Sequence, residues 1–148
     1  MLSLSNAFTE DDLINFEKKI LNYLSEEKTF EITYSAEPKI DGISASITYK
    51  NGKFISGLSR GDGKEGEDIT KNLATLKDIP KKIVSKDFPN EIDIRGEVFI
   101  TNGDFENLKE KFANPRNAAS GSLRQKNPEE TKKFHLSLSP THLDTRMV

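Results

Sequence analysis

The chain has 148 residues, of which 34% are hydrophobic and 31% charged, with a formal net charge of −2. This length suits one domain with a hydrophobic core better than two, and the charge gives no overall attraction to nucleic acids or acidic membranes. The absence of cysteine excludes disulfides, cysteine-ligated zinc and a thiol nucleophile. With only two histidines, no basic and apolar leader and no membrane-length apolar run, we expect a soluble, cytoplasmic protein without a histidine metal cluster.

The first predicted element is a helix that begins after Thr9. Thr9 is a favourable N-cap, and Asp12 occupies the capping-box position three residues later. The apolar side chains that follow recur at helical spacing, at Leu13, Phe16, Ile20 and Leu24. This pattern predicts an amphipathic helix that ends near Ser25 and uses its apolar stripe for packing.

Three alternating runs then predict β-strands. The first spans Phe30–Ser35, and the other two, 43–49 and 54–58, flank the dipeptide Asn51-Gly52. Asn-Gly between two alternating runs is typical of a tight β-hairpin, because both residues accept positive φ angles. The sequence therefore predicts a strand followed by an antiparallel hairpin.

Between the first strand and the hairpin lies the segment Glu37-Pro38-Lys39-Ile40-Asp41-Gly42. Pro38 fixes the backbone before Lys39, and Gly42 allows a ligand to approach the backbone closely. Lys39 is a candidate covalent nucleophile once its amine has lost its proton, and the alternative is a surface lysine in a turn. Because a hairpin brings the entry of its first strand near the exit of its second, we expect Lys39 and Arg60 to be neighbours.

The glycines after Arg60 match the spacing G-x-G-x-x-G over residues 61–66. A dinucleotide-binding turn of that kind needs a buried parallel strand before it and an apolar-faced helix after it. Here the preceding strand belongs to a hairpin, and residues 67–76 are short and polar. The pattern therefore favours a flexible loop at which the backbone and Arg60 can approach a phosphate or ribose.

A further strand is predicted over residues 91–100, and Glu97 lies within its apolar part. An ionised carboxylate in such a position needs a partner, because an unpaired buried charge is costly. The partner could be a bound ligand, or it could be Arg95 on the same face of the strand. The sequence leaves both interpretations open.

The region after this strand is predicted to begin with a helix capped at Thr101 or the residue after it. Within the small and polar segment 112–125, Arg116 and Arg124 are separated by about two helical turns. They could contact phosphates or belong to a solvated polar helix. Beyond Lys133 the pattern changes, which predicts an atypical C-terminal tail, 134–148, that is either frayed or a strand without its partner.

Five segments stand out when they are taken together and in order. They are Met-Leu-Ser-Leu-Ser-Asn-Ala-Phe, Glu-Pro-Lys-Ile-Asp-Gly-Ile-Ser, Ser-Arg-Gly-Asp-Gly-Lys-Glu-Gly-Glu-Asp-Ile-Thr, Arg-Gly-Glu-Val-Phe-Ile and Phe-Ala-Asn-Pro-Arg-Asn-Ala-Ala-Ser-Gly-Ser-Leu-Arg-Gln. This ordered set resembles the adenylation domain of bacterial NAD-dependent DNA ligases, whereas K-x-D-G alone is shared with ATP-dependent ligases, RNA ligases and mRNA-capping enzymes. The resemblance covers residues 1 to about 130 and implies a partial domain over 1–133 with an α+β ligase-type nucleotidyltransferase fold, an antiparallel sheet with flanking helices.

The resemblance implies a role for each candidate residue. Lys39 matches the lysine that attacks the adenylyl phosphorus of NAD and becomes a lysine–AMP adduct, and Asp41 matches the motif aspartate needed for this transfer. The other matches are nucleotide contacts at Ser3, Leu4, Glu37, Arg60 and Glu97, and contacts to nicked DNA at Arg116 and Arg124. The implied cofactors and partners are NAD, Mg²⁺ and nicked double-stranded DNA. Zinc belongs only to the complete family enzyme, because its cysteine ligands are absent here.

The resemblance also implies family modules that this sequence lacks, among them the nicotinamide-recognition domain, the later adenylation strands and the OB-fold. We therefore expect a partial domain of a DNA replication and repair enzyme, inactive by itself or limited to adenylation of its lysine. Two alternatives remain: ATP-dependent adenylation, and a catalytically dead module that binds nucleic acid or protein through its arginines and an exposed sheet edge. Nothing in the sequence predicts a membrane partner or a homo-oligomer.

Overall fold

The computed structural model describes residues 6–24, 32–61, 65–85 and 87–145. The chain divides into two compact units, Met1–Pro38 and Lys39–Val148. The described part of the first unit contains one helix, and the second unit contains a four-stranded antiparallel sheet with short helices. The predicted α+β class, an antiparallel sheet with flanking helices, is confirmed. Among the helices of the described ranges, none is both long and apolar enough to cross a membrane.

Helix α1 (Glu10–Leu24) begins after Thr9, as predicted. The Asp12 backbone N–H donates to Thr9 Oγ1 (3.2 Å), and Asp12 Oδ2 accepts the Thr9 backbone N–H (3.0 Å). These bonds form the reciprocal capping box. Hydrogen bonds from the backbone of Phe8 and from Thr9 also lower the pKa of the Asp12 carboxyl. Of the fifteen residues of α1, all of them described, none is buried, so the predicted stripe is not packed into a core.

The strand expected at Phe30–Ser35 is wrong for the residues that the structure describes. Residues 32–35 have no regular secondary structure, and residues 30 and 31 lie outside the described ranges. An alternating pattern marks a strand only when a neighbouring strand supplies the ladder of hydrogen bonds. The four strands of the described sheet pair with one another and leave this segment outside the ladder.

The hairpin is confirmed, with β1 at Ile43–Lys50 and β2 at Lys53–Ser59. Asn51 and Gly52 join the strands with φ angles of 49° and 71°. Two consecutive positive φ angles are those of a type I′ turn, whose twist matches that of the flanking strands. The pairing shifts register after Thr48, where the hairpin contains a bulge.

The sheet continues with β3 (Glu91–Ile100), as predicted, and with β4 (Leu136–Thr145), giving the order β2-β1-β3-β4. The expectation that residues beyond 133 would be frayed or unpaired is wrong for β4, which pairs along β3. Leu136 and Leu138 lie opposite β3 residues of the core, and this packing fixes the strand. At the edge of the sheet, the Leu138 N–H donates to Asp78 Oδ2 (3.1 Å).

Short helices complete the core. Helix α2 (Thr70–Leu73) packs against β2, α4 (Pro115–Leu123) packs against β3 and β1, and α3 (Asn102–Glu106) and α5 (Pro128–Lys132) pack against α4. Thr101 caps α3, as predicted, since its side chain accepts the backbone N–H of Asp104. Inside the helical layer, Asn72 Nδ2 donates to Thr131 Oγ1 (2.7 Å), and Thr131 Oγ1 donates to the Ser122 carbonyl (2.8 Å). This buried network joins α2, α4 and α5.

Candidate active site

The segment that carries Lys39 leads directly into β1. The Lys39 side chain is exposed, whereas Gly42 is buried just before the strand begins. A Cβ atom at Gly42 would collide with the backbone carbonyl of Val98 in β3. Glycine is therefore required for the segment to lie against the sheet. The sheet thus anchors the backbone three residues after the candidate nucleophile.

Three residues lie side by side across the sheet: Arg60 just after β2, Ser44 in β1 and Glu97 in β3. The Arg60 backbone N–H, just beyond β2, donates to the Ser44 carbonyl (3.2 Å). Ser44 in β1 is the direct cross-strand partner of Glu97 in β3, and Glu97 is paired in turn with Ser139 in β4. Antiparallel registration therefore brings together two of the predicted nucleotide-binding residues, Arg60 and Glu97, on either side of Ser44.

Glu97 has one satisfied and one unsatisfied carboxylate oxygen. The Ser44 hydroxyl donates a short hydrogen bond to Glu97 Oε1. Glu97 Oε2 is buried and has no hydrogen-bond partner among the described residues. The sequence left open a ligand or Arg95 as the partner of Glu97. The structure gives Glu97 a serine partner on β1 and leaves its second oxygen available for a donor from a ligand. A buried unsatisfied carboxylate oxygen is costly, so this arrangement is typical of a binding site.

Asp41 is joined to helix α4. Arg116 Nε donates to Asp41 Oδ1 at 2.9 Å, although the two residues are 75 positions apart. Arg116 lies in the first turn of α4, which begins at Pro115 and is capped by the Asn114 side chain accepting from the Asn117 N–H. The helix therefore holds one of the two predicted catalytic residues from its N-terminal end.

Arg124 forms a similar ion pair at the other end of α4. Its Nε donates to Glu67 Oε2 at 2.6 Å. Glu67 follows the glycine-rich loop, and its backbone carbonyl accepts the N–H of Ser59 at the end of β2 (2.9 Å). Both arginines are about half exposed, with 53% and 51% of their side-chain surfaces accessible. The two residues matched to DNA contacts are thus each already paired with a carboxylate.

The predicted site residues fall into three groups. Asp41, Arg60, Glu97, Arg116 and Arg124 all lie in the second unit with Lys39, in the contacts given above. Glu37 is exposed and belongs to the first unit. Ser3 and Leu4 lie outside the described residues. The expected proximity of the Lys39 and Arg60 side chains stays a prediction, although the hairpin that motivates it is confirmed.

Ser44 and Glu67 are contributors that the sequence interpretation did not single out. Ser44 could have been found from register, because the hairpin turn fixes the direction of β1 and Glu97 lies in its next neighbour. Glu67 gives no comparable signal, since its ion pair with Arg124 spans 57 positions and depends on the placement of α4. Within the described ranges, no three or more histidine, cysteine, aspartate or glutamate side chains are grouped closely enough to hold a metal ion.

Comparison with known proteins gives one consistent result. The family described as the NAD-dependent DNA ligase adenylation domain matches residues 1–147. The chain is 68% identical over 136 residues to the DNA ligase of Pelagibacter ubique, and 48% identical over 147 residues to that of Rhodospirillum rubrum. These alignments cover 92% and 93% of this chain but 20% and 21% of the relatives, so the chain spans about a fifth of their length.

The resemblance recognised from the sequence motifs is confirmed by these matches, and the match extends through β4. The chain therefore belongs to the family of NAD-dependent DNA ligase adenylation domains.

Proposed function

We propose that this chain carries the nucleophile and part of the nucleotide site for the adenylation step of NAD-dependent DNA ligation. Lys39 is the nucleophile, and Asp41 supports the transfer. Arg60 and Glu97 contact the nucleotide, and the family resemblance implies the same role for Glu37, Ser3 and Leu4. The whole ligase would then pass AMP to the 5′-phosphate of nicked double-stranded DNA and seal the strand, a cytoplasmic role in replication and repair.

The observation that carries this proposal is the unpartnered oxygen of Glu97. Its Oε2 atom is buried on the sheet that anchors the Lys39 segment, beside Ser44 and in the row of Arg60. A carboxylate accepts hydrogen bonds and cannot donate them, so the atom fits a hydroxyl donor such as those of a nucleotide ribose. Binding would supply the missing hydrogen bond and remove the cost of leaving the oxygen unsatisfied.

The transfer itself forms a P–N bond and breaks a P–O bond. The Lys39 amine, having lost a proton, attacks the adenylyl phosphorus of NAD, and nicotinamide mononucleotide leaves with the bonding electron pair. Most of the catalytic work in such a step is positioning and neutralisation of charge on the phosphates. Mg²⁺ would supply part of that neutralisation, since it commonly binds through phosphate oxygens of the substrate.

DNA contacts are proposed for Arg116 and Arg124. A guanidinium carries five N–H donors, more than one carboxylate uses, so an arginine in an ion pair can also bind a phosphate. The half-exposed arginines stand at the two ends of a single helix. The division into an adenylation-domain part, 1–133, and an atypical tail, 134–148, stays a prediction about where the domain ends.

The proposal predicts a covalent adduct on one lysine. Incubated with NAD and Mg²⁺, the chain should gain the mass of one AMP, and Lys39→Ala should gain none because no other amine occupies that position. Intact-protein mass spectrometry measures both. Lys77→Ala, at an exposed lysine outside the site, should form the adduct like the unchanged chain.

The same assay separates the alternatives. No adduct at millimolar NAD, combined with salt-dependent binding to a nicked duplex, would replace the proposal with a binding function. An adduct formed from ATP instead of NAD would indicate ATP-dependent adenylation. Efficient nick sealing by this chain would refute our expectation that the isolated chain is limited to adenylation.

A further inference from the structure

Helix α4 connects the two loops that flank the candidate site. At its N-terminal end, Arg116 holds Asp41 in the segment that carries Lys39 (2.9 Å). At its C-terminal end, Arg124 holds Glu67 beyond the glycine-rich loop (2.6 Å). Both ion pairs join residues of this chain to one another. They therefore give the arginines a structural role within the fold, in addition to any contact with DNA.

The position of Arg116 is not explained by the needs of the helix. The first turn of a helix carries partial positive charge, so a cation there is unfavourable and an anion favourable. Arg116 is the second residue of α4, and the carboxylate of Asp41 lies against it. The ion pair offsets the unfavourable charge of the arginine. Compensation of this charge therefore favours the contact between Arg116 and Asp41, which lies in the segment that carries Lys39.

Helix α4 is a rigid support for this contact. Four of its nine residues are buried against the sheet and neighbouring helices, and each of them is fully inaccessible to solvent: Ala118, Ala119, Ser122 and Leu123. The residue after Asp41, Gly42, lies against the Val98 carbonyl of β3. The segment is therefore held at two successive residues after Lys39, by α4 through the Asp41 side chain and by β3 through the Gly42 backbone.

We propose that Arg116 is a positioning residue for adenylation of Lys39, because it holds Asp41 and thereby orders the segment before DNA binds. This inference rests on the proposed function of Lys39. It differs from a role in DNA contact in one measurable respect, since it requires Arg116 in a step that involves no DNA.

The first test is the rate of Lys39–AMP formation from NAD and Mg²⁺ in the absence of DNA, followed by intact-protein mass spectrometry. We expect Arg116→Gln to slow adduct formation by about tenfold or more, because small misplacements of reacting groups have effects of that order. Arg116→Lys keeps the charge but loses the planar guanidinium group, so its rate of adduct formation should lie between those of Arg116→Gln and the unchanged chain. An unchanged DNA-free rate in Arg116→Gln, with weakened binding to nicked DNA, would overturn the inference.

The matched control is Lys133→Gln. Lys133 forms an ion pair with Glu130 (2.7 Å) that is about as exposed as the pair of Arg116 with Asp41. Exposed pairs of this kind contribute little to global stability, so both variants should keep the melting temperature of the unchanged chain. A slow rate in Arg116→Gln and an unchanged rate in Lys133→Gln would then reflect the local segment rather than unfolding.

A second measurement keeps the inference independent of activity. Backbone amide order parameters from NMR should fall at Ile40, Asp41 and Gly42 in Arg116→Gln and stay unchanged in β1 and β3. If the unchanged chain forms no adduct, the proposed function fails, and the order parameters still decide whether Arg116 orders the segment. Equal order parameters in Arg116→Gln and the unchanged chain would overturn the inference whatever the activity.

Discussion

At the scale of single residues, the carboxylate of Glu97 has one oxygen that is hydrogen-bonded within the sheet and one that is not. Ser44 satisfies Oε1 across the β1–β3 ladder, whereas Oε2 is buried without a hydrogen bond in the described part of the chain. Such a group lowers the stability of the folded protein until a donor arrives. Binding sites often retain a cost of this kind, since the residue that optimises stability is not the one that optimises binding.

Glu97→Gln should therefore separate stability from function. We expect the free energy of unfolding to rise by about 1 kcal/mol, because a neutral amide is less costly to bury than a carboxylate. Adduct formation from NAD should fall by about tenfold, because a charged hydrogen-bond acceptor is lost. Urea denaturation and the mass-spectrometric assay measure the two effects.

Ser44→Ala is the complementary variant for this prediction. It leaves Glu97 Oε1 without its donor, so the free energy of unfolding should fall by about 1–3 kcal/mol. If Glu97→Gln destabilises the chain to the same extent, Glu97 Oε2 already has a stabilising partner within the protein. The proposed ligand-binding role of Glu97 would then lose its support.

At the scale of the elements, much of the architecture was predictable because it is determined by local chemistry. The Asn51-Gly52 turn, the Thr9 cap of α1 and the limits of β3 all follow from neighbouring residues in the sequence. The ion pair of Arg116 with Asp41 could not be predicted in this way, since it depends on where α4 packs. Cross-strand contacts such as that of Ser44 with Glu97 lie between these cases, because predicting them requires the register in which β1 pairs with β3.

Strand β4 illustrates why the remaining element escaped the sequence interpretation. The alternating apolar residues of β4 on the core side are limited to Leu136 and Leu138 at its start, and Pro140 interrupts the pattern. Residues 32–35 show the opposite error, an alternating pattern without strand structure. Strand formation in both cases depended on the availability of a neighbouring strand, which a local pattern does not reveal.

The cap of α3 provides a prediction about pH. Hydrogen bonds from the Thr101 hydroxyl (2.6 Å) and from His135 lower the pKa of Asp104 from its ordinary value of 3.8. A depressed carboxyl pKa contributes stability that is present above the ordinary value and is lost as the pH falls below it. We expect Asp104→Asn to have a lower melting temperature than the unchanged chain near neutral pH. On acidification, its melting temperature should fall less than that of the unchanged chain.

The measurement is a series of thermal melts from about pH 6 to about pH 2, in which linkage appears as a difference in slope. Asp87→Asn, at an exposed aspartate of the loop before β3, is the control and should follow the unchanged chain. Parallel curves for Asp104→Asn and the unchanged chain would show that the cap does not contribute to the acid sensitivity.

At the scale of the whole molecule, the sheet and its helical layer depend on close approach at a few glycines. Gly57 of β2 lies beneath Leu73 of α2, which is fully buried, and a Cβ atom at Gly57 would collide with the Leu73 side chain. A side chain at position 57 would force the buried Leu73 side chain out of its present position, and protein interiors are densely packed. The packing of Leu73 on β2 therefore depends on the absence of a side chain at Gly57.

Gly57→Ala should lower the free energy of unfolding by about 1–3 kcal/mol, measured by urea denaturation. Gly103→Ala is the matched control, because the nearest atom to its added Cβ is Thr101 Oγ1 at 3.9 Å. Gly103 lies within α3, so alanine there should raise stability by about 0.5–1 kcal/mol. Equal effects of the two substitutions would mean that the Leu73 side chain repacks around the added methyl group at no cost.

The contact of Asp78 with β4 has a consequence for how copies of this protein behave at high concentration. The strand stands at the edge of the described sheet, where free backbone donors would invite a second chain to add a strand and begin aggregation. The outward N–H of Leu138 is occupied by Asp78 Oδ2, and two residues later Pro140 has no N–H to offer. At Leu138 and Pro140, this edge therefore offers no free N–H for edge-to-edge association.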